Sequence, residues 1–108
     1  METAGYPIAA ITESVLVNGA VLAYTDRGSQ GVFWHALPVI DFSILFGFGY
    51  TLGFGILELT RPAGTPPAAN LFGNYRVRFM IFQPSAAARL KDVDTKDYQA
   101  VRRLMEAP

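Results

Sequence analysis

Cysteine is absent from the chain, which removes disulfides, thiolate nucleophiles and cysteine metal sites and leaves the redox compartment open. Histidine occurs once, at His35, so no multi-histidine metal site forms within the chain. Charge is scarce: the charged share is 17%, with nine basic residues balancing nine acidic ones. Nucleic-acid binding relies on clustered Lys and Arg to displace counterions, and a formal net charge of zero excludes it. The amino-terminal METAGYPIAAITE carries two glutamates and no basic residue ahead of an apolar run, unlike a cleaved signal peptide.

The missing charges have a location. From Gly28 to Leu57 the only formal charge is Asp41. Inside that gap lies LFGFGYTLGFG, Leu45 to Gly55, which fits two incompatible periods. With a period of two, Phe46, Phe48, Tyr50, Leu52, Phe54 and Ile56 share one face of a strand opposite glycines and Thr51. With a period of four, Ser43, Gly47, Thr51 and Gly55 stack into a small-residue ridge, with Gly49 and Gly53 as a second notch, as on a packed transmembrane helix.

The flanks bear on the choice. VLVNGAVLAY places Asn18-Gly19 between apolar runs, a type I′ hairpin signal. DRGSQG, Asp26 to Gly31, is a loop, Pro38 ends or kinks what precedes it, and the proline-rich RPAGTPPAAN, Arg61 to Asn70, is a linker. NYRVRFMIF alternates Tyr75, Val77, Phe79 and Ile81 against Arg76, Arg78, Met80 and Phe82, a half-buried strand with its arginines on the wet face. Ser85 is a candidate cap for a short helix, and DTKDYQAVRRLM spaces Tyr98, Val101 and Met105 for a closing amphipathic helix.

A membrane helix needs about 20 mostly apolar residues, and Val39 to Leu57 approaches that length with Trp34 and His35 at one interface and Glu58 and Arg61 at the other. The leading expectation is therefore a single-pass transmembrane helix over 32–59, an arm and β-hairpin over 1–31, and a linker, strand and amphipathic helix over 60–108. Arg61, Arg76 and Arg78 after the segment outnumber Arg27 before it, which puts the carboxyl-terminal side in the cytoplasm. The alternative is a soluble α+β domain, an antiparallel sheet with one carboxyl-terminal helix.

Each fold carries its function. The helix implies a non-catalytic accessory subunit of a photosynthetic or respiratory membrane complex, contacting lipid and larger integral membrane subunits. Its packing interface would be Ser43, Gly47, Gly49, Thr51, Gly53 and Gly55. Asp41 would then be an intramembrane polar group or reach the headgroups. His35 would be an interfacial hydrogen-bonding side chain, or the residue that meets a partner's pigment or haem; no cofactor is intrinsic. The alternative fold implies a binding or self-associating module with a glycine-lined face.

VNGAVLAYTDRGSQGVFWHALP, Val17 to Pro38, resembles the opening strands of the α/β-hydrolases, where a similar stretch leads to a His-Gly oxyanion loop. The resemblance implies two strands and a turn. Ala36 follows His35 where that family has glycine, and no G-x-S-x-G elbow appears, so it carries no expectation of hydrolysis.

Overall fold

The described residues between Val39 and Leu57 run as strands, not as a helix. The computed structural model describes residues 2–41, 44–60 and 75–106. Within 32–59 these form β3 (His35–Ala36), β4 (Val39–Asp41), β5 (Ile44–Thr51) and the start of β6 (Phe54–Thr60). No helix among the described residues is long and apolar enough to cross a membrane. That overturns the single-pass fold and the membrane placement, and it leaves a photosynthetic or electron-transport role without support.

The period of two wins in LFGFGYTLGFG because the segment is a hairpin. Gly53 has φ +77 and closes a two-residue turn with Leu52, a conformation that costs glycine nothing. The turn divides the apolar residues. Phe46 on β5 pairs with Leu59 on β6 and Phe48 with Leu57, and all four face the core. Gly47 pairs with Glu58 and Gly49 with Ile56 on the opposite face. The charge gap thus reflects strands whose inward side chains fill a core, where Phe46 and Leu59 are fully buried.

With β1 (Glu2–Pro7), β2 (Ala20–Thr25) and β7 (Val77–Phe82), the strands make two antiparallel sheets, ordered β1-β6-β5-β4 and β3-β2-β7. The second sheet is covered on both sides. Ala23 and Phe79, opposite each other on β2 and β7, pack against Phe46, Leu57 and Leu59 of the first sheet. The neighbouring pairs Leu22–Met80 and Tyr24–Arg78 turn the other way, and Tyr24 and Met80 meet Leu90, Tyr98 and Val101. Those three lie in a 3-10 turn (Ala88–Asp92) and in α3 (Tyr98–Glu106). The architecture is three-layered: sheet, sheet, helix. It matches the α+β alternative in class, with two sheets where one was expected.

The expected hairpin at Asn18-Gly19 is instead the end of helix α1 (Glu13–Asn18). Thr12 caps it, its Oγ1 accepting from Val15 N at 3.4 Å, and Glu13 favours the first turn. Gly19 has φ −90, not the positive value of a type I′ turn. Its glycine is needed for space: a Cβ would run into the Phe82 carbonyl oxygen and lie 2.7 Å from Val15 Cα. Met80 and Phe82, read from the sequence as solvent-facing with the arginines, are buried beneath the helical layer. Ser85 lies inside α2 (Pro84–Ala87) and caps nothing; Gln83 holds the cap position. The closing helix is found, with Tyr98 and Val101 buried and Met105 exposed. The linker expected over 61–70 lies outside the described residues.

Replacing Gly19 with alanine is expected to destabilise the fold by about 1–3 kcal/mol through overpacking against backbone. Gly47→Ala, whose Cβ would meet nothing within 4 Å, should change stability by about 0.5 kcal/mol or less in either direction. Urea unfolding of the two variants checks the contrast.

Candidate functional site

Two surfaces stand out, one on each sheet. The first is the outer face of the four-stranded sheet, which no element among the described residues covers. Strand register puts Ile40 beside Leu45 at one end, and Phe54 with Leu52 at the turn end. These four are exposed, Ile40 by 68% and Leu52 by 58%. Between them Gly47, Gly49 and Gly5 leave the backbone bare, so the face is a saddle with apolar ends. A single charge sits in the saddle. A Cβ on Gly49 would lie 2.8 Å from Glu58 Oε1, so one oxygen of the carboxylate reaches over that glycine. Among the described residues it has no hydrogen bond or ion pair.

The second surface surrounds Trp34, and a buried carboxylate organises it. Asp26 is 1% exposed. Its Oδ1 accepts from Gly28 N at 3.0 Å and Arg76 N at 2.8 Å, and its Oδ2 from Gly31 N at 2.9 Å. Burial by itself would raise the carboxyl pKa, but the three backbone donors, helped by the Arg76 guanidinium, outweigh it and hold the group below its ordinary value. The Arg76 Nε–Asp26 Oδ2 distance is 3.9 Å and the arginine side chain is 64% exposed, so that ion pair is the minor contributor. The loop being held is strained: Arg27 and Gln30 have φ of 52 and 59, a region that β-carbon sterics disfavour. Arg76 Nη1 also donates to Gln30 O at 3.0 Å.

That loop fixes an aromatic wall. The Trp34 indole donates to Gly31 O at 3.1 Å and stacks on Tyr98 with centroids 5.5 Å apart. The Arg78 guanidinium lies 4.4 Å from the indole centroid, within cation–π range, and its Nη1 donates to the Tyr98 hydroxyl. Tyr98 in turn meets Tyr24 edge-on, and Tyr24 Oη donates to Thr95 O at 2.6 Å. Burial, with smaller contributions from Asp94 and Asp97, pushes the Tyr24 phenol up to about 12, so at neutral pH it is a donor and not a base. Beside the wall opens a cleft of about 520 Å³ lined by Trp34, His35, Leu37, Pro38, Val39 and Lys96 among others. A shallower recess of about 260 Å³ shares Trp34, His35 and Lys96 and adds Phe33, Asp97 and Tyr98.

The residues singled out by sequence fall as follows. His35 is half-buried on the edge strand β3 and lines the cleft. Asp41 ends β4, opposite Ile44. Ser43 lies outside the described residues. Gly47, Gly49 and Thr51 share the outer sheet face, Gly53 forms the turn, and Gly55 faces inward beneath Ile8 and Phe79. A helix-packing ridge through Gly47, Thr51 and Gly55 therefore has no helix to form on. Lys96 and Arg78 are not singled out as site residues by the sequence, whereas Asp26, with Arg27, His35 and Asp41, is one of the few polar residues near its apolar centre. Asp26 had a signal, since an aspartate two residues before a glycine is a common loop-fixing element; Lys96 had none, being brought to His35 only by folding. Among the described residues no group of three His, Cys, Asp or Glu side chains could hold a metal ion.

The chain is thus a three-layer α+β protein with a glycine-floored sheet face and a basic, aromatic cleft. No protein-family model matches it, and no match is found among curated proteins or solved structures.

Because Asp26 has a lowered folded-state pKa, it stabilises the fold fully above its unfolded value of about 3.9, and that contribution disappears as pH falls through the lower folded value. Asp26→Asn is expected to cost about 1–3 kcal/mol at pH 7. The gap between variant and parent should narrow progressively as pH falls below about 3.9, as read from urea midpoints at pH 7 and at acid pH.

Proposed function

We propose that the protein is a non-catalytic binding module, and that its outer sheet face takes an apolar polypeptide segment presenting one basic side chain. The observation that carries this reading is the Glu58 carboxylate, which lies over Gly49 with no partner among the described residues at the centre of an otherwise neutral face. Exposed apolar side chains flank it at both ends. Charge complementarity favours a basic partner over a second copy of the chain, because two such faces brought together would set one Glu58 against another.

The glycine floor suits the chemistry. Bare backbone at Gly47 and Gly49 lets a planar guanidinium approach the carboxylate closely, with no Cβ in its way. Leu45 and Phe54, exposed on either side, would cover the aliphatic neighbours of that basic residue. Binding of this kind needs no bond to be made or broken.

Calorimetric titration with a capped pentapeptide of leucine and valine around one central arginine tests the reading, against the same peptide with central glutamine. The arginine peptide should bind at least about threefold more tightly, Glu58→Gln should erase the difference, and Gly47→Lys should abolish binding without moving the thermal midpoint by more than a few degrees. Equal binding of the two peptides, or binding of neither, overturns it. So does a concentration-dependent dimer in sedimentation that Gly47→Lys disperses, because the face would then belong to a second copy.

A further inference from the structure

The geometry points to a second, independent binding site: the cleft beside Trp34 takes a small organic monoanion with an apolar body, such as an aromatic or branched-chain carboxylate. Its volume of about 520 Å³ lies within the range of small-molecule sites. The division of its walls suggests the ligand class. Leu37, Pro38, Val39 and the Trp34 ring give apolar surface, while among the described residues the ionisable side chains lining it are His35 and Lys96. Both are nitrogen bases, and the Lys96 ammonium forms no ion pair among the described residues. A neutral hydrocarbon would leave those nitrogens unused. A dianion would find apolar wall where it needs a second donor.

The acids closest in sequence are already engaged. Asp94 Oδ1 accepts from Lys96 N at 3.0 Å and Asp97 Oδ1 from Ala100 N at 3.2 Å, each folding its own turn. Asp97 lines the shallower recess on the far side of Trp34, His35 and Lys96 and is not part of the larger cleft. The charged side chain that lines the larger cleft among the described residues is the Lys96 ammonium, and its complement is an anion.

The wall is also held in place before any ligand arrives. Trp34 is held by its bond to Gly31 O, by Tyr98 on its face and by Arg78. Its position rests on the Asp26 loop, through Gly31, whose N–H donates to Asp26 and whose carbonyl takes the indole N–H. A site whose walls are already ordered loses little freedom on binding, so weak, specific capture of a small molecule is within reach of few contacts. Arg78 adds its charge behind the indole, where it acts on the ring and not on the ligand.

Trp34 is the only tryptophan, so its fluorescence reports the cleft directly. Titration with benzoate at constant ionic strength should give a saturable change, and benzamide, of the same shape without the charge, should bind at least about threefold more weakly. Lys96→Gln, at an exposed position that leaves the fold intact, should bring benzoate down to the benzamide affinity. Amide chemical shifts should move at His35, Val39 and Lys96 and not on the outer sheet face. Equal affinity for the two probes overturns the proposal, as does a non-saturating response or a shift pattern centred elsewhere. Because the peptide test reads Glu58 and this one Lys96, failure of either leaves the other standing.

Discussion

Covering β2 and β7 on both faces is the constraint on which the rest of the structure depends. A strand buried on both sides cannot alternate polar and apolar residues, and β2 reads AVLAYT accordingly. Ala23 and Val21 must be small or branched to admit the four-stranded sheet, while Tyr24 and Leu22 fill the wider space under the helices. Each apolar side chain so buried contributes on the order of 1.5–3 kcal/mol. Without the helical layer, Tyr24, Met80 and Phe82 would be exposed together, so α3 is as much a part of the core as any strand.

Both candidate surfaces follow from this arrangement. The three-stranded sheet uses both of its faces for the core, and the four-stranded sheet uses one, which leaves a single broad β-face uncovered among the described residues. On the helical side, the last turn of chain before β3 has to pass from the edge of β2 to the start of the strand. It does so through the loop held by Asp26, and Trp34 emerges from that loop onto Tyr98. The cleft is the space left where the edge strand β3, the descent into β4 and the approach to α3 fail to close over one another. Each surface sets one charged side chain against apolar walls, Glu58 on the sheet face and Lys96 in the cleft.

Some of this was legible from residues alone. The closing helix shows itself through Tyr98 and Val101, the loop through its glycines, and β7 through strict alternation at Val77, Phe79 and Ile81. The errors have identifiable causes. Asn18-Gly19 has the composition of a turn, but Thr12 and Glu13 supply a cap and a favourable first turn, and local hydrogen bonding at the helix start prevailed. LFGFGYTLGFG has the apolar length of a membrane span, yet its glycines mark a turn at Gly53, a close approach at Gly55 and an open floor at Gly47 and Gly49. Three different physical uses of one residue type look, at a period of four, like a ridge and a second notch. Met80 and Phe82 looked outward because alternation tells which residues share a face and not whether that face meets water.

The sequence by itself determined the alternation of β7, the amphipathic helix, the loop around Asp26 and Gly31, and the exclusion of disulfides and multi-histidine sites within the chain. These depend on composition or on contacts within a few residues. Only the tertiary structure decided which face of each strand is buried, that β7 is covered twice, and that Lys96 stands beside His35 and Glu58 over Gly49. Those facts depend on which layers stack and in what register. A period of two specifies the two faces of a strand, and burial is assigned to them only when another layer arrives.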